Sequence, residues 1–164
     1  YGNTGGQRSS ATPIGAATST TPRGKLVEKK DILAIMAAHR ARYVASISLA
    51  HLDDALAKMR HALGVRGFRF LHILAPCPTG WKSEPSEGIE IVRLAVKSGL
   101  YPIYEVEDGV RLRINIEPEL GGTALSRYFA MQGRFRKGDV NLEGVQAAIR
   151  KRWVELHAAA RREG

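Results

Sequence analysis

The sequence predicts an α/β fold with a mostly parallel sheet flanked by helices. Residues 43–48 alternate as a strand does, and residues 68–74 are typical of a second strand. Between them, apolar residues recur at helical spacing over residues 52–63. A strand, a helix and a strand within about 30 residues form a βαβ unit, whose two strands run parallel under a covering helix.

The remaining elements follow from the same patterns. Residues 1–24 are loop-rich, with Pro13, Pro22 and Gly24 as breaking residues. A short helix is expected over residues 30–39, where Asp31 suits the positive end of the helix dipole. The C-terminal part is predicted to contain a helix over 89–98, two strands over 101–107 and 110–116 joined by an Asp108-Gly109 turn, and helices over 123–131 and 142–160.

Length and composition limit the class of protein. The chain has 164 residues, of which 44% are apolar, and this is enough for one domain with a sizeable core. No apolar run approaches the roughly 20 residues of a membrane span, so no membrane partner is expected. A single cysteine excludes an internal disulfide and suits a reducing compartment, which predicts a cytoplasmic protein.

The net charge of +9 raises the alternative of a nucleic-acid-binding module. The basic residues are spread over several segments, and no stacking aromatics of the RRM type or zinc-finger spacing accompany them. We therefore expect no nucleic acid as a partner. The run 134–136 is interpreted as a solvated turn, with a partner-facing patch as the alternative.

Two segments carry the candidate site residues. The first is the glycine-rich run from Asn3 to Pro13, which is either a flexible tail or a ligand-binding loop. Gly5 and Gly6 allow positive φ angles and a close approach to a ligand, and Asn3 is a directional hydrogen-bonding group. Such features favour the ligand-binding loop over a spacer.

The second segment is the loop that contains Cys77 between two prolines. It follows the second strand of the βαβ unit, and ligands gather at the carboxyl ends of such strands. A buried structural cysteine is the alternative reading. The five histidines show no metal-ligand spacing; His72 is expected to be a core residue, Trp81 to pack under the cysteine loop, and Trp153 to lie in the core.

These motifs together resemble the β subunit of 2-oxoacid:ferredoxin oxidoreductases, the pyruvate synthase group. The run from Asn3 to Pro13 resembles that family's thiamine-diphosphate loop, and Pro76-Cys77-Pro78 with Trp81 resembles its late cysteine loop. The later matches, in the same order, are Leu94-Ala95-Val96, Tyr101-Pro102-Ile103-Tyr104-Glu105-Val106, Gln132-Gly133-Arg134-Phe135-Arg136 and Arg152-Trp153. The resemblance spans nearly the whole chain.

The resemblance implies a thiamine-diphosphate-binding fold, a reaction and a set of cofactors. A 2-oxoacid is decarboxylated on thiamine diphosphate, electrons pass through a [4Fe-4S] cluster, and coenzyme A takes the acyl group. Asn3 is then catalytic, donating a hydrogen bond beside the cofactor and substrate, while Thr4, Gly5 and Gly6 shape the same cofactor-binding loop. Cys77 is implied to be one of four thiolate ligands of the cluster.

The resemblance also implies what this sequence does not contain. The Mg2+ ligands and the other three cluster cysteines are expected upstream of Tyr1, so we interpret the chain as the C-terminal portion of a β subunit, with a separate missing chain as the alternative. The expected partners are the other subunits, the rest of the β subunit and ferredoxin. Pyruvate is the default substrate, and 2-oxoisovalerate, 2-oxoglutarate, phenylglyoxylate and oxalate are alternatives.

Three segments are expected on this interpretation. They are a cofactor-facing loop over residues 1–24, the C-terminal part of the cofactor-binding α/β domain over 25–100, and a C-terminal hairpin with helices over 101–164. Two rival functions remain: a non-catalytic basic module, and a thiamine enzyme that decarboxylates without electron transfer.

Overall fold

Four strands form one mixed sheet. A computed structural model of the chain describes residues 6–136 and 140–161, and its strands are β1 (Tyr43–Ser48), β2 (Arg69–Leu74), β3 (Ile103–Glu107) and β4 (Arg111–Ile116). Their spatial order is β2-β1-β3-β4. The α/β class is confirmed, but only the β1–β2 pair has the expected parallel arrangement, whereas β3 pairs antiparallel with both β1 and β4.

The predicted helices are present, with their ends shifted by one or two residues. They are α1 (Ile32–Ala38), α2 (Leu52–Gly64), α4 (Gly88–Lys97), α5 (Gly122–Ala130) and α6 (Leu142–Arg161), and they are joined by an additional single turn, α3 (Pro78–Trp81). Two 3-10 turns occur at Pro85–Glu87 and Gly133–Phe135. The expected loop after Cys77 is therefore a one-turn helix, because Pro78 at its first position already has a helical φ angle.

The hairpin between β3 and β4 turns at Asp108 and Gly109, as predicted. Both residues have positive φ angles, 53° and 74°, which is the backbone of a two-residue type I′ turn. A Cβ on Gly109 would lie 2.5 Å from the carbonyl oxygen of Ala37. The glycine therefore also lets the hairpin tip pack against the end of α1.

The main core lies between the sheet and helices α1, α4, α5 and α6. Its buried members include Leu33 of α1, Val44 of β1, Ile91 of α4, Leu125 of α5 and Trp153 of α6. A smaller cluster of Tyr43, Ala45 and Ala62 lies under α2. Adjacent residues of β1 thus contribute to two different clusters, as the alternation of side chains along a strand requires.

Helix α2 exposes much of its apolar surface within the described residues. Leu52 is 60% exposed, Leu56 47% and Leu63 84%, and a groove of about 430 Å³ lies between this helix and Arg69 and Leu71 of β2. The helical spacing correctly predicted the helix, but it did not indicate whether this face is covered.

Across residues 6–136 and 140–161, no helix combines the length and the apolar content that a membrane crossing requires.

Candidate functional site

The turn that carries Cys77 begins three residues after β2 ends at Leu74. Cys77 caps α3, and its carbonyl oxygen accepts a hydrogen bond from the backbone N–H of Trp81 at 2.8 Å. Pro78 lacks an N–H group, but at the first position of a helix that group has no intrahelical partner anyway. The two prolines therefore stiffen the turn without breaking it, at the strand end where the sequence predicted a site.

The thiol of Cys77 is free and half-buried. A Cβ on Gly80 would lie 3.0 Å from Sγ, so this glycine leaves room for the sulfur. In the described part of the chain, no group of three or more His, Cys, Asp or Glu side chains is placed to hold a metal ion. One partly accessible thiolate fits a single ligand position of an iron–sulfur cluster, and the described residues provide no further ligands beside it.

Arg134 lies beside this turn as a buried cation. Its side chain is 7% exposed, and its guanidinium lies over the indole ring of Trp81, with Cζ 4.6 Å from the ring centroid. One terminal nitrogen donates a hydrogen bond to the hydroxyl of Tyr128 at 3.0 Å. Burial lowers the pKa of the Arg134 guanidinium, and the proximity of Tyr128 and of the Cys77 thiol partly offsets that decrease.

The interpretation of residues 134–136 as a solvated turn is wrong for two of the three residues. Arg134 and Phe135 are buried, and only Arg136 is exposed. The reason is an aromatic cluster after α5: the ring of Phe135 lies 4.5 Å from that of Phe129 and 6.1 Å from that of Tyr128. This packing buries Arg134 and Phe135, although the segment contains two charged residues.

The glycine-rich N-terminal run is only partly within the described residues. Asn3, Thr4 and Gly5 lie outside them, so their predicted roles stay predictions. Gly6 has a φ angle of 66°, and its carbonyl oxygen accepts a hydrogen bond from the N–H of Ser19 at 3.0 Å. Among the described residues, and apart from its own chain neighbours, no heavy atom lies within 4 Å of the position that a Cβ on Gly6 would take.

Lys25 holds the N-terminal loop, defined as residues 6–24, in place through hydrogen bonds, although the sequence patterns did not single this residue out. Its side chain is 1% exposed, and Nζ donates hydrogen bonds to the carbonyl oxygens of Ser10 at 2.9 Å and Thr12 at 2.7 Å. A buried ammonium needs such partners, since an unsatisfied charge in the interior is costly. The N-terminal loop is therefore tied down rather than free as a spacer would be.

The backbone of Gly133 and Arg134 joins the N-terminal loop to the cysteine turn. The carbonyl oxygen of Arg134 accepts from the N–H of Ala17 at 2.7 Å, and the N–H of Gly133 donates to the carbonyl oxygen of Lys82 at 2.9 Å. A Cβ on Gly133 would lie 2.9 Å from the Cβ of Lys82. The loop that follows the glycine-rich run and the cysteine turn thus meet at one short bridge, which lies in the Gln132–Arg136 motif noted in the sequence.

The other predicted positions behave as core residues. His72 is 8% exposed, and its carbonyl oxygen accepts a hydrogen bond from the hydroxyl of Tyr101. Trp153 is 2% exposed and donates from Nε1 to the carbonyl oxygen of Gly99 at 2.9 Å. Trp81 is the last residue of the cysteine turn; it is partly buried against the main core, and the guanidinium of Arg134 lies over its ring. The predictions that His72 and Trp153 are core residues are confirmed.

Comparison with known proteins identifies similar sequences. Pyruvate synthase subunit PorB of Methanocaldococcus jannaschii is 42% identical over 155 residues, which cover 91% of this chain and 51% of that protein. Ketoisovalerate oxidoreductase subunit VorB of Pyrococcus horikoshii is 40% identical over 169 residues, covering 98% of this chain and 53% of that protein. Pyruvate synthase subunit PorB of Pyrococcus furiosus is 35% identical over 184 residues, covering 98% of this chain and 56% of that protein.

The chain therefore spans about half the length of the curated relatives that it matches. No protein-family model matches it. Among solved structures, 2-oxoglutarate:ferredoxin oxidoreductase from Magnetococcus marinus aligns with a TM-score of 0.47 and 17% identity, over 87% of this chain and 52% of that chain.

Proposed function

We propose that this chain, which belongs to the family of PorB and VorB subunits of 2-oxoacid:ferredoxin oxidoreductases, forms part of the catalytic β subunit of such an enzyme. The proposed reaction is the oxidative decarboxylation of a 2-oxoacid to an acyl-CoA and CO2. The cofactors are thiamine diphosphate with Mg2+ and a [4Fe-4S] cluster, and ferredoxin is the electron acceptor.

One observation carries the proposal. Cys77 lies in a stiff, partly open turn at the carboxyl end of β2, and the N-terminal loop is hydrogen-bonded to the same short bridge that contacts this turn. The family resemblance assigns the cluster ligand to that turn and the cofactor-binding loop to residues 3–6. Residues 6–24 and the cysteine turn contact the same bridge, and a redox site shared by the two segments requires them to lie close together.

The roles of the residues follow from their chemistry. Cys77 supplies one thiolate to the cluster. Asn3 donates a hydrogen bond towards the reacting centre, where a preorganised donor stabilises developing charge. Thr4, Gly5 and Gly6 let the backbone approach the cofactor closely. When bound, thiamine diphosphate supplies the stabilised carbanion chemistry that the decarboxylation requires.

Pyruvate and ketoisovalerate are the first two substrates to test, because the relatives are named for them. We keep pyruvate as the default and place 2-oxoglutarate, phenylglyoxylate and oxalate after it. The other subunits of the complex and the rest of the β subunit are the proposed protein partners.

The test is an assay of the assembled complex. The β subunit is produced with its partner subunits, and reduction of ferredoxin or a viologen dye is followed with each 2-oxoacid, with and without coenzyme A and thiamine diphosphate. The proposal predicts reduction that depends on a 2-oxoacid, together with bound iron and sulfide. Decarboxylation without iron and sulfide would instead identify a thiamine enzyme without electron transfer. Retention on polyanions without either cofactor would identify a non-catalytic basic module.

A further inference from the structure

Arg134 is a buried positive charge that lacks an anionic partner among the residues the structure describes. The hydroxyl of Tyr128 accepts one of its N–H groups, while Nε is buried without any hydrogen-bond partner in residues 6–136 and 140–161. An isolated buried charge costs several kcal/mol, so proteins bury one only where an opposite charge or a full set of acceptors meets it. Among the described residues, the charge of this guanidinium is therefore left without an anion, which points to an anionic group bound beside it.

The ring contacts of Arg134 place that charge against the turn that carries Cys77. The guanidinium is held between two rings, with Cζ 4.6 Å from the centroid of Trp81 and 4.9 Å from that of Phe135. Trp81 is the last residue of α3, and its N–H bonds to the carbonyl oxygen of Cys77, which caps the same turn. Arg134 is thus stacked on the single helical turn that presents the thiol.

Arginine suits a buried position between two aromatic rings better than lysine does. A guanidinium is planar, stacks on aromatic faces and is more weakly hydrated than an ammonium group, so it tolerates burial between two rings. The backbone of Arg134 is fixed as well, since its carbonyl oxygen accepts from Ala17. Both the position and the orientation of the charge are therefore set by the fold.

We infer that Arg134 is a positioning residue for the iron–sulfur cluster, one that holds the Cys77 turn through Trp81 and places a fixed positive charge beside the ligated sulfur. The inference rests on the proposed function, because it needs a cluster at Cys77. Reduction adds one electron to the cluster, and a nearby cation stabilises the more negative, reduced form. Arg134 therefore raises the cluster's reduction potential and makes it an easier acceptor for electrons from the oxidised substrate.

The experiment is a redox titration of the assembled complex, followed by the EPR signal of its reduced clusters. Arg134→Gln removes the buried charge, and Arg136→Gln removes an exposed charge two residues away as a matched control. We expect Arg134→Gln to shift one cluster to a lower midpoint potential, with iron and sulfide contents unchanged. Arg136→Gln is expected to leave all potentials at their wild-type values, because water and salt screen an exposed charge.

A fully loaded Arg134→Gln complex with wild-type potentials overturns the inference. If this variant fails to assemble, Arg134→Met takes its place, since its unbranched apolar side chain fills the space between the two rings. Failure of both neutral variants supports the inference if Arg134→Lys assembles with its cluster, because charge is then the property required. Failure of all three overturns it, since shape rather than charge is then what the site needs.

This result is separable from the test of the proposed function. If the wild-type complex contains no cluster signal, the proposed function itself fails. If the wild-type signal is present and only the Arg134→Gln shift is absent, the inference about Arg134 fails and the proposed function stands.

Discussion

The guanidinium of Arg134 lies over the indole ring of Trp81, with 4.6 Å between Cζ and the ring centroid. These two residues are 53 positions apart in the sequence, and their contact joins the turn that carries Cys77 to the segment that follows α5. The N-terminal loop reaches the same segment through a hydrogen bond from Ala17. The candidate site is therefore formed by three segments that are distant in sequence: the N-terminal loop, the cysteine turn and the segment after α5.

Gly133 is predicted to be intolerant of a side chain. In Gly133→Ala the new methyl group would meet the Cβ of Lys82 at 2.9 Å and the carbonyl oxygen of Lys82 at 3.1 Å. We expect the free energy of unfolding to fall by about 1–3 kcal/mol, as is usual for overpacking, in a denaturant titration of the subunit. Gly64→Ala is the control, since no heavy atom of the described residues, beyond its own helix backbone and chain neighbours, lies within 4 Å of the added Cβ; it should be neutral or slightly stabilising. Equal stability of the two variants would show that the turn and the bridge do not pack as described.

Lys25 is predicted to hold the N-terminal loop. Lys25→Met removes the donor of two partly buried hydrogen bonds, to the carbonyl oxygens of Ser10 and Thr12, at a cost of about 1–3 kcal/mol. Amide hydrogen exchange over residues 6–24 should therefore become faster, and the assembled complex should bind thiamine diphosphate more weakly. Lys30→Met changes an exposed lysine and should leave both measurements unchanged. Unchanged exchange in Lys25→Met would contradict the assignment.

Glu105 is predicted to anchor β3 to β1 and β4. Its buried carboxylate accepts a hydrogen bond from the hydroxyl of Tyr43 at 2.5 Å and is paired with Arg113. Burial raises the pKa of Glu105, but the hydrogen bonds from Tyr43 and Arg113 outweigh it, so the net shift is downward. Glu105→Ala leaves the buried hydroxyl of Tyr43 without its hydrogen-bond acceptor and should lower the free energy of unfolding by about 3 kcal/mol.

The matched control for this variant is Glu119→Ala. The side chain of Glu119 is 67% exposed, and its ion pair with Lys97 contributes little because solvent screens it. A loss of stability in Glu105→Ala no larger than in Glu119→Ala would rule out the anchoring role.

His72 is predicted to make the subunit less stable as the pH falls. Burial, with a smaller contribution from Lys29, lowers the pKa of His72 from 6.5 to about 4 in the folded state. Between these values the unfolded chain binds more protons than the folded one, so the free energy of unfolding decreases as the pH is lowered from 6.5 to 4. The full effect is roughly 3 kcal/mol, and it is reached below pH 4.

The variant His72→Gln removes this titration and should flatten the pH dependence in that window. His39→Gln changes an exposed histidine and should leave the slope as it is in the wild type. An unaltered slope in His72→Gln would mean that His72 is protonated equally in the folded and unfolded states.

Short sequence patterns predicted most of the helices, strands and turns, because these elements depend mainly on residues close in sequence. The alternation of residues 43–48 and the Asp108-Gly109 turn predicted β1 and the hairpin, since side-chain alternation and positive φ angles depend on residues close in sequence. The direction of pairing between β1 and β3 depends on where the chain returns to the sheet. No short pattern encodes that, and the sheet is accordingly more antiparallel than expected.

The candidate site was predicted less completely, for a related reason. Cys77 was found because prolines and a strand end mark it locally. Arg134 was missed because a run of arginines around one phenylalanine is typical of a solvated turn, and its burial results from contacts with Tyr128 and the distant Trp81. Lys25 was missed similarly, since its partners are backbone carbonyl groups that every sequence has.

The most direct test of the account concerns the sulfur of Cys77. In the assembled complex, Cys77→Ala should lose the EPR signal of one reduced [4Fe-4S] cluster and about four iron atoms per β subunit, with the circular dichroism spectrum unchanged. Thr79→Ala, in the same turn, should keep both the signal and the iron. A complete set of cluster signals in Cys77→Ala would contradict the claim that this residue is a ligand.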